Sequence, residues 1–355
     1  HQGALRSAFL INAGLRKEVF IGTGAVASTM VDLARLAVYL FTFTQTSRYR
    51  AARQLDWALI AAACSSAPAR SETVTDAKDR AAEYAEFGNR YFSQGNYEQA
   101  LRFFELSLRE NTSVDNREGI AQAYNSIGNV YLAAGDVGTA ENSFTSAYTI
   151  AVELDDGKLL LQSATNLGEV ALRREDNELA MEFFEEARSH DGPSADPGDR
   201  AILYHNIATV HSRAGDYARA ESFLRDAMEI NERERHLPEL AANHYMLASV
   251  YSRQGRYDQA ETMAQRALEI DKQIENSVGI AADLKALGII SRRSGDLEGA
   301  YDYLRRSLQV AATIGLADEA RSILSHLAEV ADERGMLDEA ARYREQKQAL
   351  EEADE

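Results

Sequence analysis

The segment Ala248-Ser249-Val250-Tyr251-Ser252-Arg253-Gln254-Gly255-Arg256-Tyr257-Asp258-Gln259-Ala260 decides the fold. It places a small residue, an aromatic, a glycine, a second aromatic and an alanine at positions 248, 251, 255, 257 and 260. Spacings of three and four residues put apolar side chains on one face of a helix before the glycine and of another after it. The glycine suits a left-handed residue that ends the first helix, a conformation that strains other residues.

Working outward, glycine recurs with a period of 40 at Gly95, Gly135, Gly215, Gly255, Gly295 and Gly335, and only Glu175 breaks the series. Five residues after each come Ala100, Ala140, Ala180, Ala220, Ala260, Ala300 and Ala340. Seven residues before each stand Gly88, Gly128, Gly168, Ala208, Ala248, Gly288 and Ala328. Self-similarity at such a period marks a solenoid built of stacked units. In the fourth unit Leu203, Ile207 and Val210 form the stripe before the turn, and Tyr217, Ala220, Leu224, Ala227 and Met228 the stripe after it. Asn96, Asp136, Asp216 and Asp296 follow their glycines, as residues suited to begin a helix.

Gly88, Tyr91, Gly95, Tyr97 and Ala100, and their counterparts Ala248 to Ala260, resemble the tetratricopeptide repeat family. The family's early tryptophan is replaced by Tyr84, Tyr124 and Tyr204. The 40-residue unit looks like the long-helix variety of kinesin light chains, cell-polarity adaptors and bacterial regulators. The resemblance covers roughly residues 77–355. It implies an all-α fold, a right-handed superhelical α-solenoid of about seven helix-turn-helix repeats. The first helix of each repeat then lines a concave groove. The seventh repeat reads as a cap. There Arg344 takes the place of Phe104, Phe144, Phe184, Leu224 and Leu304, and Lys347 that of Ala187, Ala227 and Ala267.

Composition closes other routes. The 355 residues are 45% hydrophobic and 26% charged, with four prolines and 22 glycines, which excludes a disordered or collagen-like chain. A net charge of −18 argues against nucleic acid as a partner. The single cysteine, Cys64, excludes an internal disulfide, and the seven histidines show no metal-ligand spacing. No nucleophile, phosphate loop or cofactor motif appears. The expectation is a non-enzymatic scaffold with no cofactor, no metal and no small-molecule substrate.

One register in the groove helix stands out. Two residues before the turn come Ser93, Ala133, Arg173, Arg213, Arg253, Arg293 and Glu333. Four arginines in successive repeats could pair with carboxylates of an extended segment. Stacked helices lie about 8–10 Å apart and an extended chain rises about 3.3 Å per residue, so acids three residues apart would match. The competing reading is that each arginine stabilises a helix C-terminus through the dipole, at roughly 0.3–1 kcal/mol. On the groove reading, Arg173, Arg213, Arg253 and Arg293 contact acidic side chains, and Asn129 and Asn206 contact polypeptide backbone. The lysine and asparagine pattern of the family's chaperone carboxylate clamp is not matched. His205 and His244 read either as a pair facing across adjacent repeats or as ordinary helix-surface residues.

The first 64 residues differ. They carry seven basic and three acidic side chains, a net +4, against −22 for the remainder. Residues 19–43 are long and apolar enough to span a bilayer, with Asp32 and Arg35 in the middle. His1 to Leu10, Lys17-Glu18, Phe20 to Gly24 and Val31 to Arg35 resemble a fragment of the TauE/SafE sulfite exporter family, over about 40 residues. Arg48, Arg50 and Arg53, the run Trp57 to Ala63 and Cys64 resemble a bacterial lipoprotein signal, although Ala61 stands where leucine is usual. The chain starts at His1, not Met, which suggests a missing start or a fused reading frame.

Three regions are therefore expected: a hydrophobic membrane-like helical segment over 1–43, a signal-like segment and linker over 44–78, and the solenoid over 79–355. Cys64 is the lipid-attachment candidate. The expected protein is attached to a membrane or bacterial envelope, or cytoplasmic if the N-terminal segment is an artefact. The alternative function is an anion exporter fragment fused to a repeat domain.

Overall fold

The computed structural model describes residues 73–193 and 195–353, within one compact unit, Thr73–Glu355. The expectations for the membrane-like segment 1–43, the signal-like segment and Cys64 lie outside the described residues.

Among the described residues the structure contains fourteen helices and no strand. In chain order they are α1 (Val74–Ser93), α2 (Tyr97–Ser113), α3 (Arg117–Ala133), α4 (Val137–Leu154), α5 (Gly157–Arg173), α6 (Asn177–Ser189) and α7 (Pro197–Arg213). Then follow α8 (Tyr217–Glu234), α9 (Leu237–Arg253), α10 (Tyr257–Gln273), α11 (Ser277–Ser294), α12 (Leu297–Ile314), α13 (Ala317–Glu333) and α14 (Leu337–Ala353). Each odd helix pairs with the even helix after it, giving seven repeats. The first starts at Val74 rather than 79: Thr73 caps it, accepting from the Asp76 amide at 3.1 Å while its own amide donates to Asp76 at 2.9 Å.

The turns explain the period. All six turn glycines have φ between 71° and 94°. Glu175 adopts the same left-handed conformation, φ 63°, so the third repeat keeps the turn without glycine and bears its strain. The expected capping holds at Asn96, Asp136, Asp216 and Asp296, and at Asp176 of the third repeat. Each of these side chains accepts from the amide three residues on. A second left-handed series joins repeats: Asp115, Asp155, Arg235, Glu275 and Gly315. Between α6 and α7 that short turn is replaced by a longer loop, and Pro197 opens α7 at the first helical position, where its missing N–H costs nothing.

The core follows size compensation. A Cβ on Gly88, Gly128 or Gly168 would lie 2.3–2.5 Å from the ring of Phe104, Phe144 or Phe184, and those rings are at most 2% exposed. Where the small residue is Ala208 or Ala248, the facing residue shrinks to Leu224 or Ala264, both fully buried. In the first three repeats glycine thus admits a large ring into the close helix crossing, and in the sixth Gly288 brings Leu304 equally close, 2.6 Å from where a Cβ would stand. The last repeat is a cap: Arg344 is exposed and pairs with Asp332, and Lys347 is half-buried beside Glu351.

Candidate functional site: the groove of the odd helices

Successive odd helices pack on one another along the stack, whereas the substantial contacts of even helices are with odd ones. The odd helices therefore sit closest together, on the inner side. A cavity of about 330 Å³ opens on this side over the first three repeats. Its walls include Ala82 and Asn89 of α1, Gln122, Asn125 and Asn129 of α3, and Gln162 of α5. Counted from the turn, these are the same few register positions in each repeat, and they define the groove-facing rows of the solenoid.

The groove floor is amide-rich at this end. Asn166 Nδ2 donates to Asn125 Oδ1 at 3.3 Å, and Asn125 Nδ2 donates to Gln162 Oε1 at 3.1 Å. Gln162 in turn contacts Asp199, so the chain runs through α3, α5 and α7. Burial pushes the Asp199 carboxyl up to about 6; the Asp196 anion adds to this, and Lys158 and Gln162 oppose it. Asn129 lines the cavity. Asn206, the other predicted backbone contact, is 8% exposed, and its Nδ2 has no hydrogen-bond acceptor among the described residues.

The arginine ladder is real in register but not uniform in engagement. Arg173 pairs with Glu169 of its own helix at 3.3 Å. Arg213 reaches back one repeat: its Nη1 donates to the Leu172 carbonyl at 3.0 Å and to Asn177 Oδ1 at 3.3 Å. Arg293 does likewise, Nη1 donating to Ser252 Oγ at 3.0 Å. Arg253 makes no ion pair or hydrogen bond among the described residues, and all four side chains belong to exposed residues. The Arg213 contact realises the helix-end reading in a form the sequence did not suggest, since the carbonyl it satisfies belongs to the neighbouring repeat's α5. Arg213, Arg253 and Arg293 still have no carboxylate partner among the described residues. Adjacent arginines are committed elsewhere: Arg174 to Glu141 at 2.6 Å, and Arg292 to Glu333 at 2.5 Å and to Glu329.

The histidine readings are corrected. His205 Nδ1 lies 2.6 Å from Asn243 Oδ1, not against His244, and both histidines are pulled from solvent, His244 to 8% exposure. Burial lowers the proton affinity of each. They are inter-repeat packing residues, neither a facing pair nor surface residues.

Two features escaped sequence reading. One groove row turns apolar from the fourth repeat (Ile202, Ala242, Ala282), the next from the fifth (Met246, Ala286) and a third only in the sixth (Ile289), after Asn206, Thr209 and Ser249; the register would have shown this had apolar residues been tracked as the polar ones were. Asp271 and Asp283 lie buried together between α10 and α11, at 5% and 1% exposure, where the preceding repeat holds Asn231 and Asn243. Among the described residues no group of three His, Cys, Asp or Glu could hold a metal ion, and no helix is long and apolar enough to cross a membrane.

Comparison with known proteins agrees with this geometry. The family model for the tetratricopeptide repeat matches residues 80–151, 119–191 and 199–273, more than half of the chain. No curated protein matches by sequence. Among solved structures, a Rap protein complexed with competence and sporulation factor aligns with TM-score 0.58 and 19% identity, over 76% of this chain and 74% of that one. The Rap conjugation gene regulator of plasmid pLS20, in complex with the Phr* peptide, gives 0.57 and 19%, over 81% and 80%. A signal-transduction ATPase with a tetratricopeptide repeat sensor from Pyrococcus horikoshii gives 0.57 and 15%, over 79% and 44%. At these identities the likeness shows the fold. The matched family is a repeat family.

Proposed function

The chain belongs to the tetratricopeptide repeat family, and on that premise we propose that it is a non-enzymatic scaffold that holds an extended polypeptide segment in the groove of its odd helices. The observation that carries this reading is the exposed row Arg213, Arg253 and Arg293, none of which has a carboxylate partner among the described residues. Two of the structurally similar Rap proteins were solved with a factor or peptide bound, which supports a peptide partner. The arginines without carboxylate partners favour acidic side chains on it. Nucleic acid remains disfavoured by the net charge of −18. Attachment to a membrane or envelope, through residues 1–72, is a separate proposal that the groove does not need.

Selection of a random peptide library on the immobilised full chain tests the reading. Enriched peptides should carry acidic residues. They should bind at least tenfold more weakly to Arg213→Glu/Arg253→Glu and to Arg253→Glu/Arg293→Glu, with unchanged helical circular dichroism. No enrichment over a blank support, or binding indifferent to these variants, contradicts it.

A further inference from the structure

The groove changes chemistry along its length. The positions that give Ala82, Gln122 and Gln162 in the first three repeats give Ile202, Ala242 and Ala282 in the next three. One turn on, Ser126, Asn166 and Asn206 give way to Met246 and Ala286 in the fifth and sixth repeats, and a turn further Asn89, Asn129, Glu169, Thr209 and Ser249 give way to Ile289 in the sixth. Ile202 is 41% exposed, Ala242 is exposed, and the other four are half-buried. The alanines alternate with the bulkier Ile202, Met246 and Ile289, and Tyr245, next to Met246 in the chain, is half-buried. An apolar strip thus runs diagonally across α7, α9 and α11, from Ile202 near the start of α7 to Ile289 of α11, one turn before Arg293, with Arg253 and Arg213 successively further from it. Those three guanidiniums have no carboxylate partner among the described residues. The charged residue within the strip, Lys285, is already neutralised by Glu319 at 2.8 Å.

We propose that the segment bound in this groove carries apolar side chains at intervals of about three residues, seated on the strip of the fourth to sixth repeats, with acidic residues beside them against Arg213, Arg253 and Arg293. The spacing follows from helices about 8–10 Å apart and an extended rise of about 3.3 Å per residue. The amide-rich floor of the first three repeats makes no demand for apolar side chains and takes the remaining backbone. This rests on the groove reading above and adds the partner's chemistry: the strip desolvates apolar side chains, and the cationic edge selects which apolar peptides enter. An uncharged apolar strip would accept any hydrophobic segment; the arginine edge rejects basic ones.

Fluorescence anisotropy with the full chain and three labelled peptides tests it. One has leucine at every third position with glutamates between; the second replaces leucine by serine; the third replaces glutamate by lysine. The leucine–glutamate peptide should bind at least tenfold more tightly than either of the others. Ala242→Glu and Ile289→Ser should erase its advantage over the serine peptide, and Arg253→Glu should weaken both acidic peptides. Ala242 is exposed, so its variant keeps the test valid if Ile289→Ser disturbs folding. Equal binding of the leucine and serine peptides overturns the inference while leaving a groove that holds acidic peptides. Equal binding of the lysine peptide overturns the role of the arginine edge. Failure of all three peptides overturns the inference, and the library selection decides separately whether the groove reading falls with it.

Discussion

Asp283→Asn is expected to stabilise the repeat stack at pH 8 by at least about 1 kcal/mol, the worth of one pKa unit, and to reduce the dependence of its stability on pH between pH 4 and pH 8. Asp283 is 1% exposed and faces Asp271, 5% exposed, across the joint between α10 and α11. Asp271 Oδ1 accepts from Asn276 Nδ2 at 3.0 Å, while Asp283 Oδ2 has no partner among the described residues. The other groups acting on this joint are Tyr245 of α9 and Glu319 of α13, and Glu319 already holds Lys285. Burial first, then the Asp271 carboxyl, pushes the Asp283 pKa up to about 8. The sign follows directly. The folded state holds this proton more tightly than the unfolded chain, so the contribution of this carboxyl is fully present near pH 4 and is lost as pH rises toward 8. Asparagine keeps the shape and removes the proton; the previous repeat already carries Asn243 at the equivalent site, 1% exposed. Urea unfolding followed by circular dichroism at several pH values measures the effect. An identical slope in the variant and the parent would contradict the assignment.

Gly128→Ala is expected to cost about 1–3 kcal/mol, the range for overpacking, because its new methyl would sit 2.4 Å from the Phe144 ring. Phe144→Leu alone opens space and costs on the order of 1 kcal/mol. Together they recreate the Ala208–Leu224 combination found in the fourth repeat, where both residues are fully buried. The double variant should therefore lose less than the sum of the single losses, with a coupling of at least about 1 kcal/mol. Strict additivity in denaturant unfolding would show that the pair does not set the helix crossing.

The period was legible because every repeat solves the same packing problem. Gly or Ala at the crossing, an aromatic or leucine against it, and a left-handed turn leave marks at fixed offsets in the chain. Glu175 escaped because a left-handed turn tolerates a non-glycine residue at a cost. The linking turns at Asp115, Asp155, Arg235 and Glu275 escaped for the same reason. The groove rows could be counted, but the engagement of each arginine could not. Arg213 finds its acceptor on Leu172, 41 residues away in sequence, a contact set by how one repeat sits on the next. Asp271 and Asp283 look like surface acids in the chain, since nothing local to either shows that two repeats close over both.

Photocrosslinking tests the central claim most directly. A benzophenone side chain at Ser249, in the groove row of α9, should join the leucine–glutamate peptide on irradiation, and one at the exposed Thr262 of α10, on an outer helix, should not. Crosslinking from Thr262 with none from Ser249 would place the partner on the opposite side of the stack and contradict the account.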